Sequence, residues 1–358
     1  MLSAMEISTF IIPALFSFFA TFGLVWVSLK LFPRLGLMDR PEKYGLKRKP
    51  IPYYGGAAIF LGFWVSVLLF VEMNITLGGF LIAAFLITAV SFIDDYRGLS
   101  PGLRLFVQIL AALILVGAGV GIQSISNPLG DPLVLDQWKI ALTLDQVYQF
   151  SVLGALFTVV WVVLIVNTMN FLDGLNGLSS GVAVIAAFAL FLLSVRPEIH
   201  YDIVSQVPVA TMSIILFAAA FAFWLFDFHP AKILMGDTGS MFLGFTLATL
   251  AIFSGGKVAT AFLVMGFPLL DAIWVILRRI FSGSSPMKGD RKHLHHRLLE
   301  IGLSDRKALF LIYVLCALFG GIAVFMEGIN KLYAIAAMVV LMMILGSLAV
   351  FLARKKYV

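Results

Sequence analysis

Residues 150–181 read FSVLGALFTVVWVVLIVNTMNFLDGLNGLSSG, an apolar run that ends in amides, an acid and glycines before the next apolar run begins. A helix needs about 20 apolar residues to cross ~30 Å of hydrocarbon. The first half therefore predicts a membrane span near 150–167, and the second places polar chemistry at its mouth. Asn167, Asn170 and Asp173 recur every third residue, so a continuing helix shows them on one face. Gly174 and Gly177 then permit a turn and close approach of backbone to a ligand. A polar helix cap would explain any one of these residues alone. The whole run beside lipid-depth sequence points instead to a site that holds a cation and its phosphates, because polar groups next to hydrocarbon are costly.

The rest of the chain has the same character. It is 61% hydrophobic and 12% charged, with a mean hydropathy of +1.04, which makes 1–358 a single integral membrane domain. The lone cysteine, Cys316, sits inside an apolar segment and excludes a disulfide framework or a cysteine metal site. The first apolar run is too long for a signal-peptide core and lacks a basic start, so it reads as a retained span.

Eleven intervals are apolar enough to span: 8–31, 57–73, 76–93, 104–121, 150–167, 177–195, 208–227, 239–254, 257–279, 308–326 and 331–353. Tight turns from Glu72 to Thr76 and from Ser254 to Lys257 divide two of the longer stretches. Alternating the connections places 21 of the 25 basic residues on one side. By the positive-inside rule that side is the cytoplasm, with the N-terminus outside. The net charge of +6 is thus a topology signal, not a nucleic-acid footprint. The expected fold is an all-α polytopic membrane protein of about eleven transmembrane helices, its active site formed by cytoplasmic loops. On the other side, PLVLD at 132–136 and WKIALTLD at 138–145 alternate like a small external hairpin.

Every dense polar motif falls in a connection assigned to the cytoplasm. Connection 31–56 carries Lys43, Lys47, Arg48 and Lys49 and closes on Pro50, Pro52 and Gly55-Gly56. A basic run of this kind serves as an anionic-lipid contact or topology signal, while its prolines and glycines argue for a shaped loop. Asp94 and Asp95 are adjacent at the end of a span, where two carboxylates need a cation or a basic partner such as Arg97 or Arg104. Asp237, between Gly236 and Thr238, either caps the next helix or shares a Mg²⁺ with Asn170 and Asp173. His293, His295 and His296 lie beside Arg291, Lys292 and Arg297; without cysteines this reads better as a diphosphate-receiving patch than as a zinc site. Asp271 is the clear ionisable residue at depth, either a helix-packing acid paired with Arg278 or its neighbours or a functional residue.

In this order, KRKPIPYYGG (47–56), IDDYRGLSPGLRLFVQ (93–108), NTMNFLDGLNGLSSG (167–181), PAKILMGDTGS (230–240) and DRKHLHHRL (290–298) resemble the polyprenyl-phosphate N-acetylhexosamine-1-phosphate transferase family. The HLHHRL form resembles its bacterial WecA/TagO-type branch. It does not resemble the HHHFE form of the enzyme that transfers phospho-N-acetylmuramoyl-pentapeptide.

The resemblance implies transfer of N-acetylglucosamine 1-phosphate from UDP-N-acetylglucosamine to undecaprenyl or another polyprenyl phosphate, with Mg²⁺ (or Mn²⁺) as cofactor. The setting it implies is the bacterial inner membrane, and the product would initiate lipopolysaccharide, teichoic acid or another cell-envelope polymer. It assigns Asn170 and Asp237 to the metal, and Asp94, Asp95, Asp173 and His296 to catalysis. Substrate binding falls to Arg48, Asn176, Asp227, Leu234, His293, His295 and Arg297. Whether the reaction runs in one step or through a phosphoenzyme stays open, as does oligomeric state, a homodimer included.

Three positions depart from the family's pattern. Asp227 stands where Asn is frequent, Gly98 where a charged residue is frequent, and Leu234 where a Phe would offer uracil a π-face. The alternatives are another UDP-hexosamine, such as UDP-N-acetylmuramoyl-pentapeptide, or a transporter or flippase of a phosphorylated sugar. Transporters place substrate groups near the midplane, whereas here only Asp271 is deep.

Overall fold

The computed structural model describes residues 8–44, 48–125, 127, 130–135, 137–143, 147–196, 204–254, 262–263, 265–283, 293–326 and 328–356. Within them run helices α1 (Ser8–Leu35), α2 (Gly56–Phe70), α3 (Ile75–Arg97), α4 (Pro101–Gly117), α5 (Val152–Leu172) and α6 (Leu178–Ser194). They continue with α7 (Val207–Asp227), α8 (Gly236–Phe253), α9 (Gly266–Phe281), α10 (Leu294–Glu300), α11 (Asp305–Phe325) and α12 (Ile329–Lys356). Each of the eleven intervals expected from sequence carries a helix, and α10 is an extra short one in the connection 280–307. Seven of the described helices are long and apolar enough to cross a membrane, while α2, α4 and α6 are shorter apolar helices. The chain is an all-α polytopic membrane protein.

The helix ends follow local chemistry. Asn74 caps α3 by accepting from the Leu77 N–H at 2.8 Å, and α3 stops at Gly98, whose φ of +72° suits glycine. Ser100 and Pro101 then open α4 at once, so two antiparallel helices meet at a corner of three residues that holds Asp94 and Asp95 at its rim. The turn expected after Ser254 continues outside the described residues. So do Lys47, Lys257, Lys288, Arg291 and Lys292, and the side chain of Lys43.

The extramembrane hairpin is corrected. PLVLD and WKIALT do not pair with each other. β2 (Leu133–Val134) pairs antiparallel with β1 (Ser124–Ile125), and β3 (Lys139–Thr143) pairs with β4 (Val147–Ser151), which runs directly into α5.

The bundle is built around α8. Of its residues only Asp237 and Phe253 are not buried. Small residues let its neighbours come close, as is usual where lipid gives helices no hydrophobic reason to associate. A Cβ on Gly56 of α2 would lie 2.1 Å from the Gly239 nitrogen, and one on Gly244 would lie 2.8 Å from Val166 Cα of α5. Two of its hydroxyls bond back within the helix, Ser240 Oγ donating to the Gly236 carbonyl at 3.2 Å and Thr249 Oγ1 to the Phe245 carbonyl at 2.8 Å. The Trp161 indole donates across to the Ala248 carbonyl at 3.1 Å. By contrast α1 and α12 expose large apolar side chains, among them Phe19, Trp26, Met343 and Phe351, which is the surface that lipid covers.

Gly56→Val should therefore lower the thermal midpoint of purified protein, because backbone cannot move aside as a flexible side chain can; overpacking typically costs about 1–3 kcal/mol. Gly78→Ala, in α3 with open space around the new carbon, should leave the midpoint unchanged or raise it slightly. Equal behaviour of the two variants would contradict the α2–α8 packing.

Candidate active site

The site starts from the N-terminal end of α8. The first N–H groups of any helix lack partners within it. Here Asp95, from the last turn of α3, supplies them. Its Oδ1 accepts from the Asp237 N–H at 2.9 Å, and its Oδ2 from the Thr238 N–H at 2.9 Å and the Thr238 hydroxyl at 2.6 Å. Gly236 makes room: it has a φ of +70°, and a Cβ there would stand 2.6 Å from Asp95 Oδ2. The Tyr53 hydroxyl donates to Asp95 Oδ1 at 3.2 Å and that of Tyr54 to the Asp95 carbonyl at 3.3 Å. Backbone bonds from Leu234 N to Pro52 O, Gly55 N to Leu234 O and Gly56 N to Met235 O complete the joint. Three connections distant in sequence thus form one body.

Asp237 projects from this body toward α5 and α4. Its Oδ1 accepts from Asn170 Nδ2 at 2.8 Å, and its Oδ2 from Arg104 Nη1 at 3.0 Å. Arg104 Nε lies 3.0 Å from Asp94 Oδ2, while Asp94 Oδ1 accepts from the Leu99 N–H at 2.5 Å. The adjacent acids therefore do not share one cation. Successive helical positions point about 100° apart, so Asp94 turns to Arg104 and Asp95 to the start of α8, and Arg97 has no part in either pairing. Asn170 also donates to Ser240 Oγ at 3.2 Å, and its amide oxygen has no partner among the described residues. Asn167, one turn deeper, bonds Gln108 of α4 at 2.7 Å and stays apart from the cluster.

The 173–177 turn lies beside Asn170. Gly177 opens α6 with a φ of +87°, a conformation that favours glycine. Its N–H donates to Asp227 Oδ2 at 3.2 Å, which also takes the Ser180 hydroxyl at 2.6 Å. Asp227 is buried, and these contacts brace the turn. Tyr313 of α11 holds the other side, donating to the Gly177 carbonyl and accepting from the Trp224 indole at 3.0 Å. Sequence reasoning missed Tyr313; the available signal was a hydroxyl in the middle of the apolar run 308–326. On the turn itself the side chains of Asp173 and Asn176 are half-buried with no hydrogen-bond partner among the described residues. Burial, then the charges of Asp227, Asp237 and Asp95, hold the Asp173 carboxyl well above the usual carboxylate range.

The histidines close the ring. A Cβ on Gly174 would meet His295 Nε2 at 2.9 Å and His296 Nε2 at 3.4 Å, so this glycine lets α10 approach. The rings of His293, His295 and His296 follow one another with centroids 5.8 and 4.2 Å apart, and Arg297 is half-buried on the same helix. Asp271 pairs with His293 at 2.9 Å, not with Arg278 as expected. Burial and then the neighbouring His296 and His293 push His295 down to about 3, so it is neutral at physiological pH. Two expected residues stay outside the polar cluster. Arg48 pairs with Asp39 at 2.5 Å, and Leu234 joins through its backbone only, to Pro52 and Gly55.

Acids, amides and histidines gathered at the ends of apolar helices define a polytopic membrane protein with a polar site for charged ligands. The profile of glycosyl transferase family 4 matches residues 77–255. The chain is similar to a probable undecaprenyl-phosphate N-acetylglucosaminyl 1-phosphate transferase of Bacillus subtilis, with 28% identity over 87% of this chain and 84% of that protein. It is also similar to the decaprenyl-phosphate N-acetylglucosaminephosphotransferase of Mycobacterium leprae, with 35% identity over 84% of this chain and 78% of that protein. A third relative is the undecaprenyl-phosphate alpha-N-acetylglucosaminyl 1-phosphate transferase of Haemophilus influenzae, with 30% identity over 82% of this chain and 80% of that protein. The chain belongs to glycosyl transferase family 4, in its WecA/TagO-type group, and is an enzyme of the glycosyl-1-phosphate transferase kind.

The state of His295 can be measured. In the unfolded chain its imidazole protonates near 6.5, in the folded one only near 3. Between those values the unfolded state binds the extra proton, so the folded state loses stability as pH falls through the window, by up to about 1.4 kcal/mol per pH unit. His295→Gln should flatten the acid limb of a plot of thermal midpoint against pH. An unchanged slope would show that the imidazole is not held neutral.

Proposed function

We propose that this enzyme transfers N-acetylglucosamine 1-phosphate from UDP-N-acetylglucosamine to undecaprenyl phosphate, at the cytoplasmic face of a bacterial inner membrane. An oxygen of the lipid phosphate attacks the sugar-bearing phosphorus, the diphosphate bridge breaks, and polyprenyl-diphospho-N-acetylglucosamine and UMP result. One anhydride replaces another, so little driving force is needed. The names of the relatives support the donor sugar and the lipid class, and they differ in naming undecaprenyl or decaprenyl phosphate. The observation that carries the reading is the meeting of Asp237 with Asn170 and Arg104, beside a turn whose Asp173 and Asn176 side chains have no hydrogen-bond partner among the described residues.

The donor set fits Mg²⁺. That ion prefers oxygen and takes few protein ligands when phosphates supply the rest. Asp237 and Asn170 would hold the ion, which when bound neutralises charge on the diphosphate. Burial first, and then the neighbouring carboxylates, raise Asp173, and a divalent cation would relieve the second of these. Arg104 already bridges Asp94 and Asp237 and lies where charge on phosphoryl oxygens needs a donor. Asp95 keeps the start of α8 in place, and Asp173 is the acid free to meet the lipid phosphate. His296, which lies beside Gly174, and Arg297 would supply donors for sugar and diphosphate, and His293 and His295 line the same patch.

Asp237→Ala and Asn170→Ala should each abolish Mg²⁺-dependent release of UMP from UDP-N-acetylglucosamine in the presence of polyprenyl phosphate, with the protein still inserted. Full activity in both would refute the assignment. A panel of UDP-sugars scored for labelled lipid product separates this donor from other UDP-hexosamines. Leu234→Phe, by adding a π-face, should tighten UMP binding in calorimetry; unchanged affinity would mean that the base is held elsewhere.

A further inference from the structure

One buried acid has no part in the chemistry above. Asp271 lies on α9 and is 7% exposed, yet both its oxygens are engaged by residues at the start of α10. Oδ2 lies 2.9 Å from His293 Nδ1, and Oδ1 accepts from the Leu294 N–H at 3.0 Å. His293 is 5% exposed. Its ring packs on Phe171, next to Asn170, with centroids 5.2 Å apart, and lies nearly parallel to His295 at 8°.

A carboxylate only accepts, so the nitrogen facing it carries the hydrogen. In the neutral ring the opposite edge then offers Nε2 as a lone pair. We propose that Asp271 is a positioning residue that fixes His293 as the Nδ1–H tautomer and seats the start of α10 against the 170–177 turn. Nε2 of His293 is thereby an acceptor, suited to an O–H or N–H of the sugar-phosphate donor. A packing acid needs only to hold the loop; the bidentate engagement of ring and backbone sets the ring's hydrogen as well. Partners that fix an imidazole in this way change activity by roughly 10–100-fold when removed.

Asp271→Asn separates the two roles. Its amide oxygen can still accept from Leu294, but its NH₂ group faces His293 Nδ1 and demands the other tautomer. We expect the thermal midpoint and UMP affinity to stay near wild type while kcat falls roughly 10–100-fold. In protein with ¹⁵N-labelled histidine, reconstituted in nanodiscs, the His293 hydrogen should sit on Nδ1 in the wild type and on Nε2 in the variant. The His293 signals are assigned by their loss in His293→Asn. A wild-type hydrogen on Nε2, or a folded Asp271→Asn protein with unchanged kcat, would overturn the proposal. The kinetic arm rests on the proposed transfer reaction. The tautomer arm needs no substrate, so it still decides if that reaction is wrong or if the variant fails to fold.

Discussion

The carboxylate of Asp95 on the first turn of α8 is the contact on which the site depends. It satisfies two backbone N–H groups and a hydroxyl at once, at a helix end whose dipole favours negative charge. Water is scarce beside a membrane-embedded bundle, so leaving these donors bare would cost about 1–3 kcal/mol each. The same contact ties α3 to α8 and requires a residue without a side chain at Gly236. It also orients Asp237, one residue further on, toward Asn170 and Arg104. A structural interaction and a functional direction are set by one side chain.

Around that contact the protein handles buried charge by dividing it. Asp94 is matched by Arg104, Asp227 by Gly177 and Ser180, and Asp271 by His293 and Leu294. Each of these acids braces a turn or a helix end. On the turn at 173–177 the side chains of Asp173 and Asn176 have no hydrogen-bond partner among the described residues, and the turn lies where α5, α6 and α10 meet. An unpaired polar group is expensive at such a place, which marks it as the side meant for ligand. The chemistry suits phosphoryl transfer, in which positioning and charge stabilisation supply most of the catalysis.

The span pattern was legible because hydrocarbon imposes a length and an apolar composition on every crossing helix, and the helices fall where hydropathy places them. The loop motifs were legible too, since amides, acids and histidines beside apolar runs stand out. What misled was pairing. PLVLD next to WKIALTLD reads as one hairpin, though each strand pairs with its other neighbour. Asp94 and Asp95 read as one acidic pair, though helix geometry sends them apart. Asp271 reads as a partner for Arg278 on its own helix, though its partner lies 22 residues on.

By itself the sequence determined that this is a polytopic helical membrane protein whose polar chemistry lies in a few connections, because burial in lipid is a property of composition and segment length. Only the tertiary structure decided which acid meets which donor. Asp95 beneath α8, Tyr313 behind Gly177 and Asp271 under His293 depend on contacts between segments far apart along the chain. A hydrogen bond is set by distance and angle, and neither is encoded in local spacing.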